Sequence, residues 1–218
     1  MELRDLENLI KTRRSIRKWK KDSVPEDPVL RAIEMATWAP NGGNHQNWKF
    51  IVVVNRDFIR RMADVVQSKV ETIASWPEAA PFGEEVDRWK RNGSFFRNAP
   101  VCIAVLMANY ESLADQILKL RIAKDPSVRS IIEARQLGNS GLQSVAAAIS
   151  YLLLVLRAQG LGGTWMTGPL LAKAEIEKLL RVPKDLNLVA LVPVGHPDES
   201  PSKARKPVSE VVTFQRSG

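Results

Sequence analysis

Cysteine is almost missing from this chain: Cys102 is the single one. That excludes an intrachain disulfide and leaves no material for a cysteine-held metal cluster. No apolar run approaches the roughly 20 residues that a bilayer-spanning helix needs. The first residues, Met1-Glu2-Leu3-Arg4-Asp5-Leu6, are charged and alternating, unlike a signal peptide. We therefore expect a cytoplasmic protein with no membrane partner and no metal. No nucleophile with a matching base is visible either. There is no internal repeat, low-complexity tract or linker, so residues 1–218 should form one domain.

What is present is globular. The 218 residues can bury a real core, and the balance of 44% hydrophobic to 26% charged residues is not that of a disordered chain. The formal net charge is +8. A strong positive balance suits either nucleic-acid phosphates or a site for a phosphorylated cofactor and an anionic reductant. Basic residues are spread along the chain among acidic ones. Only 13–21 and 203–206 are dense.

Hydrophobic spacing outlines the elements. Leu3, Leu6, Leu9 and Ile10 mark a short opening helix. Pro25-Glu26-Asp27-Pro28 starts a second, with proline and acids in its first turn, and its apolar face should use Val29, Leu30, Ile33 and Ala36. Residues 48–54 read as a strand so continuously apolar that it should be central and buried on both faces. Residues 57–73 have helical spacing. Residues 76–96 look irregular and hold Trp76, Phe82, Trp89, Phe95 and Phe96, which suit either core packing or a lid over a substrate. A second buried strand follows at 101–107, then a polar helix or lid at 111–125. Residues 138–159 form an apolar helix that must be buried in the core or at a subunit interface. A helix over 172–180 and a third strand over 186–195 precede an extended tail. Strands mix with dominant helices, which is an α+β pattern.

Four segments carry possible chemistry. Arg13, Arg14, Ser15 and Arg17 offer guanidinium forks and a hydroxyl, the groups that grip phosphate bidentately. The loop Pro40-Asn41-Gly42-Gly43-Asn44-His45-Gln46-Asn47 precedes Trp48. Its glycines let main chain approach a flat ligand, and its amides suit a uracil-like ring edge. Leu161-Gly162-Gly163-Thr164-Trp165-Met166-Thr167-Gly168-Pro169 is a glycine-rich strand and turn that can present bare N–H groups. Lys203-Ala204-Arg205-Lys206-Pro207 is basic.

In this order and spacing, the four segments resemble the FMN-dependent nitroreductase family along nearly the whole chain. The resemblance implies an α+β nitroreductase-like fold, with a central mixed antiparallel sheet flanked by helices, and an intertwined homodimer with FMN at the subunit interface. It implies that Arg13, Arg14 and Ser15 hold the FMN phosphate and ribityl chain, with Lys203 and Arg205 as further phosphate contacts. Arg17 would sit near the flavin N1–O2 edge. Pro40, Asn41, Gly42 and Asn44 would come from the partner subunit. Met166, Thr167 and Gly168 would line the flavin, with backbone N–H near N5. NADH or NADPH would reduce the flavin, and a small-molecule electron acceptor, typically a nitroaromatic or quinone, would take the electrons by a ping-pong route. Such a protein needs little acid–base chemistry of its own, consistent with the missing triad.

The pattern also departs from the family. Tyr151 stands where the long helix often carries Asn, Asn41 with Gly42-Gly43 replaces a common Ser, and Thr167 replaces a Glu found in some members. Ene reduction, dehalogenation and flavin-fragmenting synthesis within the family remain alternatives. From another class, a basic nucleic-acid-binding protein is the rival, and it would be colourless. Of the two histidines, His45 lies in the flavin loop and could meet substrate, while His196 follows a strand as a turn residue. Cys102 belongs in the core.

Overall fold

The computed structural model describes residues 2–216. Its centre is set by the two most apolar strands, β2 (Val101–Ala108) and β4 (Leu186–Gly195), which pair antiparallel with Val101 opposite Val194. A register shift between Val105 and Leu106 twists the pair. β1 (Trp48–Val53) lies on the far side of β2 and the two-residue β3 (Gly162–Gly163) on the far side of β4, giving the order β1-β2-β4-β3 with every pairing antiparallel. Helices cover both faces of this sheet, so the fold is α+β.

Alternation along the strands divides the core in two. Ile103, Val105, Ala190, Val192 and Val194 face one side. There they meet α2 (Glu26–Ala36) and α7 (Ser140–Ala158) through Val29, Ala32, Ala36, Val145, Ala148, Ile149 and Leu152. Cys102, Ala104, Leu106, Leu188 and Leu191 face the other side. There they meet α3 (Arg56–Ala74) through Ile59, Met62, Ala63, Val66 and Val70, together with Phe96 and with Ile176 of α8 (Lys173–Leu180). By length and composition the segment ending in α7 is apolar enough for a bilayer, yet Val145, Ala148, Ile149, Leu152 and Leu156 are spent on the core. Cys102 is fully buried, and burial pushes its thiol up to about 12, so it stays a protonated packing residue.

Several elements differ from the sequence reading. β1 is apolar except for Lys49, but it ends the sheet, and its residues are mostly half-buried. In α2 the buried stripe is Val29, Ala32 and Ala36, and Leu30 is 55% exposed. The irregular aromatic stretch contains a helix, α4 (Gly83–Asn92), and another, α6 (Arg129–Gly138), follows α5 (Leu113–Arg121). No residue of α4 or α6 is buried, and α4 offers only Val86 and Trp89 as apolar positions, too few to mark a helix in the sequence. The aromatic cluster divides: Phe96 is core, Trp89 and Phe95 are half-buried, and Trp76 and Phe82 face solvent around an apolar cup on α3 and α4.

Gly162 is held by sterics. A Cβ there would lie 2.5 Å from Ile16 Cγ1 and 2.9 Å from Pro197 Cγ. Gly162→Ala is therefore expected to destabilise the fold by about 1–3 kcal/mol. Gly138, at the exposed end of α6, has nothing within 4 Å of such a carbon, so Gly138→Ala should be neutral or stabilise by up to about 1 kcal/mol. Urea unfolding of the two variants checks both, and equal midpoints would contradict the packing at Gly162.

Candidate functional site

The basic run does not wander. After α1 (Leu3–Thr12) the chain lies extended along β3: the Ile16 N–H donates to Gly163 O at 3.2 Å, and Thr164 Oγ1 donates to Ile16 O at 2.5 Å. Trp19 Nε1 donates to Gly162 O at 2.9 Å. On its other side the run is tied to residues 196–199. The Lys20 N–H donates to His196 O and the Asp198 N–H to Lys18 O, while Glu199 Oε1 accepts from the N–H groups of Arg17 (2.5 Å) and Lys18 (3.2 Å). Ile16 and Trp19 are buried, so the neighbouring residues turn outward.

The result is a cleft of about 310 Å³ with a floor of Ile16, Leu153, Leu161, Gly162 and Gly163 and a basic wall of Lys11, Arg13, Arg14 and Arg157. Two carboxylates stand at this wall, Glu7 paired with Lys11 and Glu199 bound to the N–H groups of Arg17 and Lys18, and neither is ion-paired with Arg13 or Arg14. Burial, then Arg205, then Arg14 hold the Arg13 pKa below its ordinary value. The head of the chain and its tail thus bring Arg13 and Arg205 together. Arg14 spends Nη1 on the carbonyls of Lys11 and Arg13, and its buried Nε has no partner. Unpaired buried donors and mutually repelling guanidinium groups are the electrostatic complement of a phosphate.

The other predicted residues fall around this centre. Ser15 is half-buried beside it, and Arg17 projects to solvent with its backbone fixed by Glu199. Lys203 and Arg205 belong to an exposed tail, and Arg205 lies near enough to Arg13 for the two cations to repel. Met166 is buried and exchanges both backbone bonds with Leu191, so its N–H is taken by the sheet. Thr167 and Gly168 follow it into the open, and nothing stands within 4 Å of the Cβ position of Gly168.

The amide-rich loop is elsewhere. It is wound tightly, with positive φ at Gly43, Asn44 and Gln46. Asn41 Oδ1 accepts from the Gln46 N–H at 3.0 Å, and the Gly42 N–H donates to Ser144 Oγ at 3.2 Å. Pro40 and Asn44 are exposed. Ser144 is in the first turns of α7, whereas Leu153 and Arg157, at the other end of that helix, line the basic cleft. At 1.5 Å per residue the two places are about 20 Å apart along the helix. Within one chain, then, the basic cluster and the loop are separated.

Reading the sequence alone missed Glu199, Thr164 and Trp19, which fix the run, and Arg157 and Lys11, which extend the basic wall. Glu199 had one signal: it is an acid in the turn-like Pro197-Asp198-Glu199-Ser200-Pro201, just before the basic tail. Arg157 ends a long apolar helix and reads as an ordinary C-terminal cation.

A solved structure described as a BluB-like flavoprotein from Clostridium difficile 630 superposes with a TM-score of 0.84 at 32% identity, over 99% of this chain and 100% of that one. The chain is 31% identical to the 5,6-dimethylbenzimidazole synthase of Rhodospirillum rubrum, over 89% of this chain and 82% of the relative. It is 27% identical to the iodotyrosine deiodinase of Thermotoga neapolitana, over 95% of each. The model of the nitroreductase family matches residues 10–196. That match takes in the basic run, the amide loop and the glycine-rich turn, and with it the chain belongs to the nitroreductase family.

Proposed function

We propose that this protein is an FMN-dependent oxidoreductase working as a homodimer, passing electrons from NADH or NADPH to a nitroaromatic, quinone or related electron-poor acceptor. The observation that carries the reading is the separation along α7. A flavin whose phosphate sits on Arg13, Arg14 and Arg205 cannot also meet loop 40–44 of the same chain. A second copy running the opposite way would bring its own loop to the basic cleft, and the reverse.

Three surface features support that dimer. β1 ends the sheet with a free edge, and Val54 beyond it is 51% exposed. The tail from Ser202 onward is exposed and carries Val208 (71%), Val211 (66%) and Phe214 (75%), so a partner's tail could pair with the β1 edge by strand addition. The side of α7 away from the core presents Leu142 and Tyr151 to solvent.

The residues then have distinct tasks. Arg13, Arg14 and Arg205 would hold the phosphate, with Ser15 as a hydroxyl donor and Lys203 as a further cation. Bound FMN supplies two-electron storage and hydride exchange at N5. Thr167 and Gly168 would offer main chain there, because Met166 is committed to the sheet. Arg17, its backbone fixed by Glu199, would place a cation at the N1–O2 edge and favour the negative charge gained on reduction. A second reading inside the family is consumption of the flavin itself, favoured by the similarity to a dimethylbenzimidazole synthase.

Purified protein is expected to be yellow, with one FMN per chain, and Arg13→Ala combined with Arg205→Ala should release the flavin. Charge-assisted bonds of about 1.5–3 kcal/mol each set the scale of that loss. Unchanged flavin content in the double variant would overturn the phosphate assignment, and a colourless wild type that binds DNA would overturn the function. Flavin that disappears during aerobic turnover would favour the synthase reading.

In solution the mass should be about twice the 24.4 kDa of one chain, with an interface of roughly 2,000 Å² or more. Sedimentation equilibrium tests this. A monomer that keeps its flavin would refute the shared site.

Arg17→Ala should lower the flavin midpoint potential while FMN stays bound. An interaction on the order of 1–4 kcal/mol corresponds to some tens of millivolts for two electrons. Arg17→Lys should recover part of the shift, since it restores the charge without the fork. Redox titration of the three proteins decides, and an unmoved potential in Arg17→Ala would show that Arg17 does not tune the flavin.

A further inference from the structure

The chain between β2 and α7 folds into a helical hairpin, α5 and α6, that closes a cleft of about 420 Å³. Tyr110, in the segment leading from β2 into the hairpin, is the joint. Its hydroxyl lies 3.0 Å from the position a Cβ on Gly42 would take, and its ring meets that of His45 edge-on at 4.8 Å. The buried Asn47 closes the same corner, donating from Nδ2 to Gly141 O and Ala108 O. The cleft therefore opens directly beside the amide loop.

We propose that this cleft holds the electron acceptor and selects an aromatic acceptor that bears a carboxylate, with Arg135 and Lys119 as the specificity residues. The inference rests on the reading that loop 40–44 meets the partner's flavin, because only then does the cleft adjoin a flavin. Its size suits a single substituted ring, and Leu118, Ile132 and Tyr110 supply apolar and aromatic wall.

The charges in the wall are not equivalent. Asp115 is committed: it caps α5 with Ser112 and takes a two-pronged contact from Arg135, whose Nη2 donates to Oδ2 at 3.1 Å and to Ser112 Oγ at 2.8 Å. These bonds keep Asp115 ionised far below the usual carboxylate range. Arg135 is thereby fixed in orientation, and its Nη1 stands outside these bonds. Lys119 is paired with Glu111 only, and both side chains are well exposed. Such surface pairs are worth little and exchange readily. A ligand carboxylate can displace Glu111 from Lys119 and accept from Arg135 as well, so it meets two cations, whereas a ligand ammonium finds Asp115 already taken and has Glu111 alone to pair with. The hairpin positions a fixed fork and a mobile ammonium on one side of a ring-sized space.

The test uses the flavin-loaded protein with 4-nitrobenzoate and its neutral counterpart 4-nitrobenzyl alcohol. Equilibrium binding is followed through the flavin absorbance, and KM through turnover. The expected result is binding of the carboxylate about tenfold tighter than the alcohol, an advantage that shrinks as salt is raised. Lys119→Gln should bring the ratio of the two dissociation constants towards one. Arg135→Lys, which keeps the charge but not the fork, should give an intermediate ratio. Equal binding of the two compounds, tighter binding of 4-nitrobenzylamine, or an unchanged ratio in Lys119→Gln overturns the assignment. A yellow enzyme that turns over the alcohol and ignores the carboxylate overturns the cleft alone, and a protein that binds no flavin overturns the functional reading with it.

Discussion

The flatness of one short strand governs everything at the site. β3 has no side chains, and residues 13–20 lie against it at a distance that even a methyl group would forbid. Ile16 and Trp19 fill that contact, and Thr164, His196 and Glu199 tie off the backbone around it. Because Ile16 and Trp19 are the buried residues of this run, Arg13, Ser15 and Arg17 are left at the surface of the cleft or beyond it. The cationic cluster is therefore a by-product of packing: burying the isoleucine and the tryptophan decides where the arginines stand. Partial burial first, and the neighbouring Arg205 and Arg14 after it, depress the pKa of Arg13, and a bound anion would favour its charged form.

The second constraint is the length of α7. This helix runs from Ser140 to Ala158 and touches a different candidate segment at each end. Ser144 anchors the amide loop, and Arg157 borders the basic cleft. A rigid rod about 20 Å long lies between them. In the proposed dimer, the β1 edge, the exposed tail and the exposed side of α7 would be parts of one arrangement.

Much of this was legible in order and composition. Strands 101–107 and 186–195 announce themselves as unbroken apolar runs, and α3 and α7 by helical spacing or sustained hydrophobicity. The four chemistry-bearing segments were visible because their residue types are costly to explain otherwise: clustered arginines, a loop crowded with amides, paired glycines. The misreadings share a cause. β1 looks central because its sequence has apolar residues on both faces, and only the sheet order shows that, among the described residues, no strand lies beyond it. α4 and α6 were invisible because helices that bury little need no stripe. Trp76 and Phe96 are both aromatic residues of one stretch, yet one faces solvent and the other has none.

By itself the sequence determined the fold class, the family and the kinds of group available to a phosphate and a planar ring, because those depend on residue type, period and order along the chain. The tertiary structure decided which of those groups meet. It brought Arg13 beside Arg205 across almost the full length of the chain, took the Met166 N–H for the sheet, and held loop 40–44 away from both. It also gave roles to residues without a pattern of their own, such as Glu199 and Tyr110. The reason is physical: composition and period are local properties, whereas a site depends on distances between segments far apart in the chain, and those are set by how the core packs.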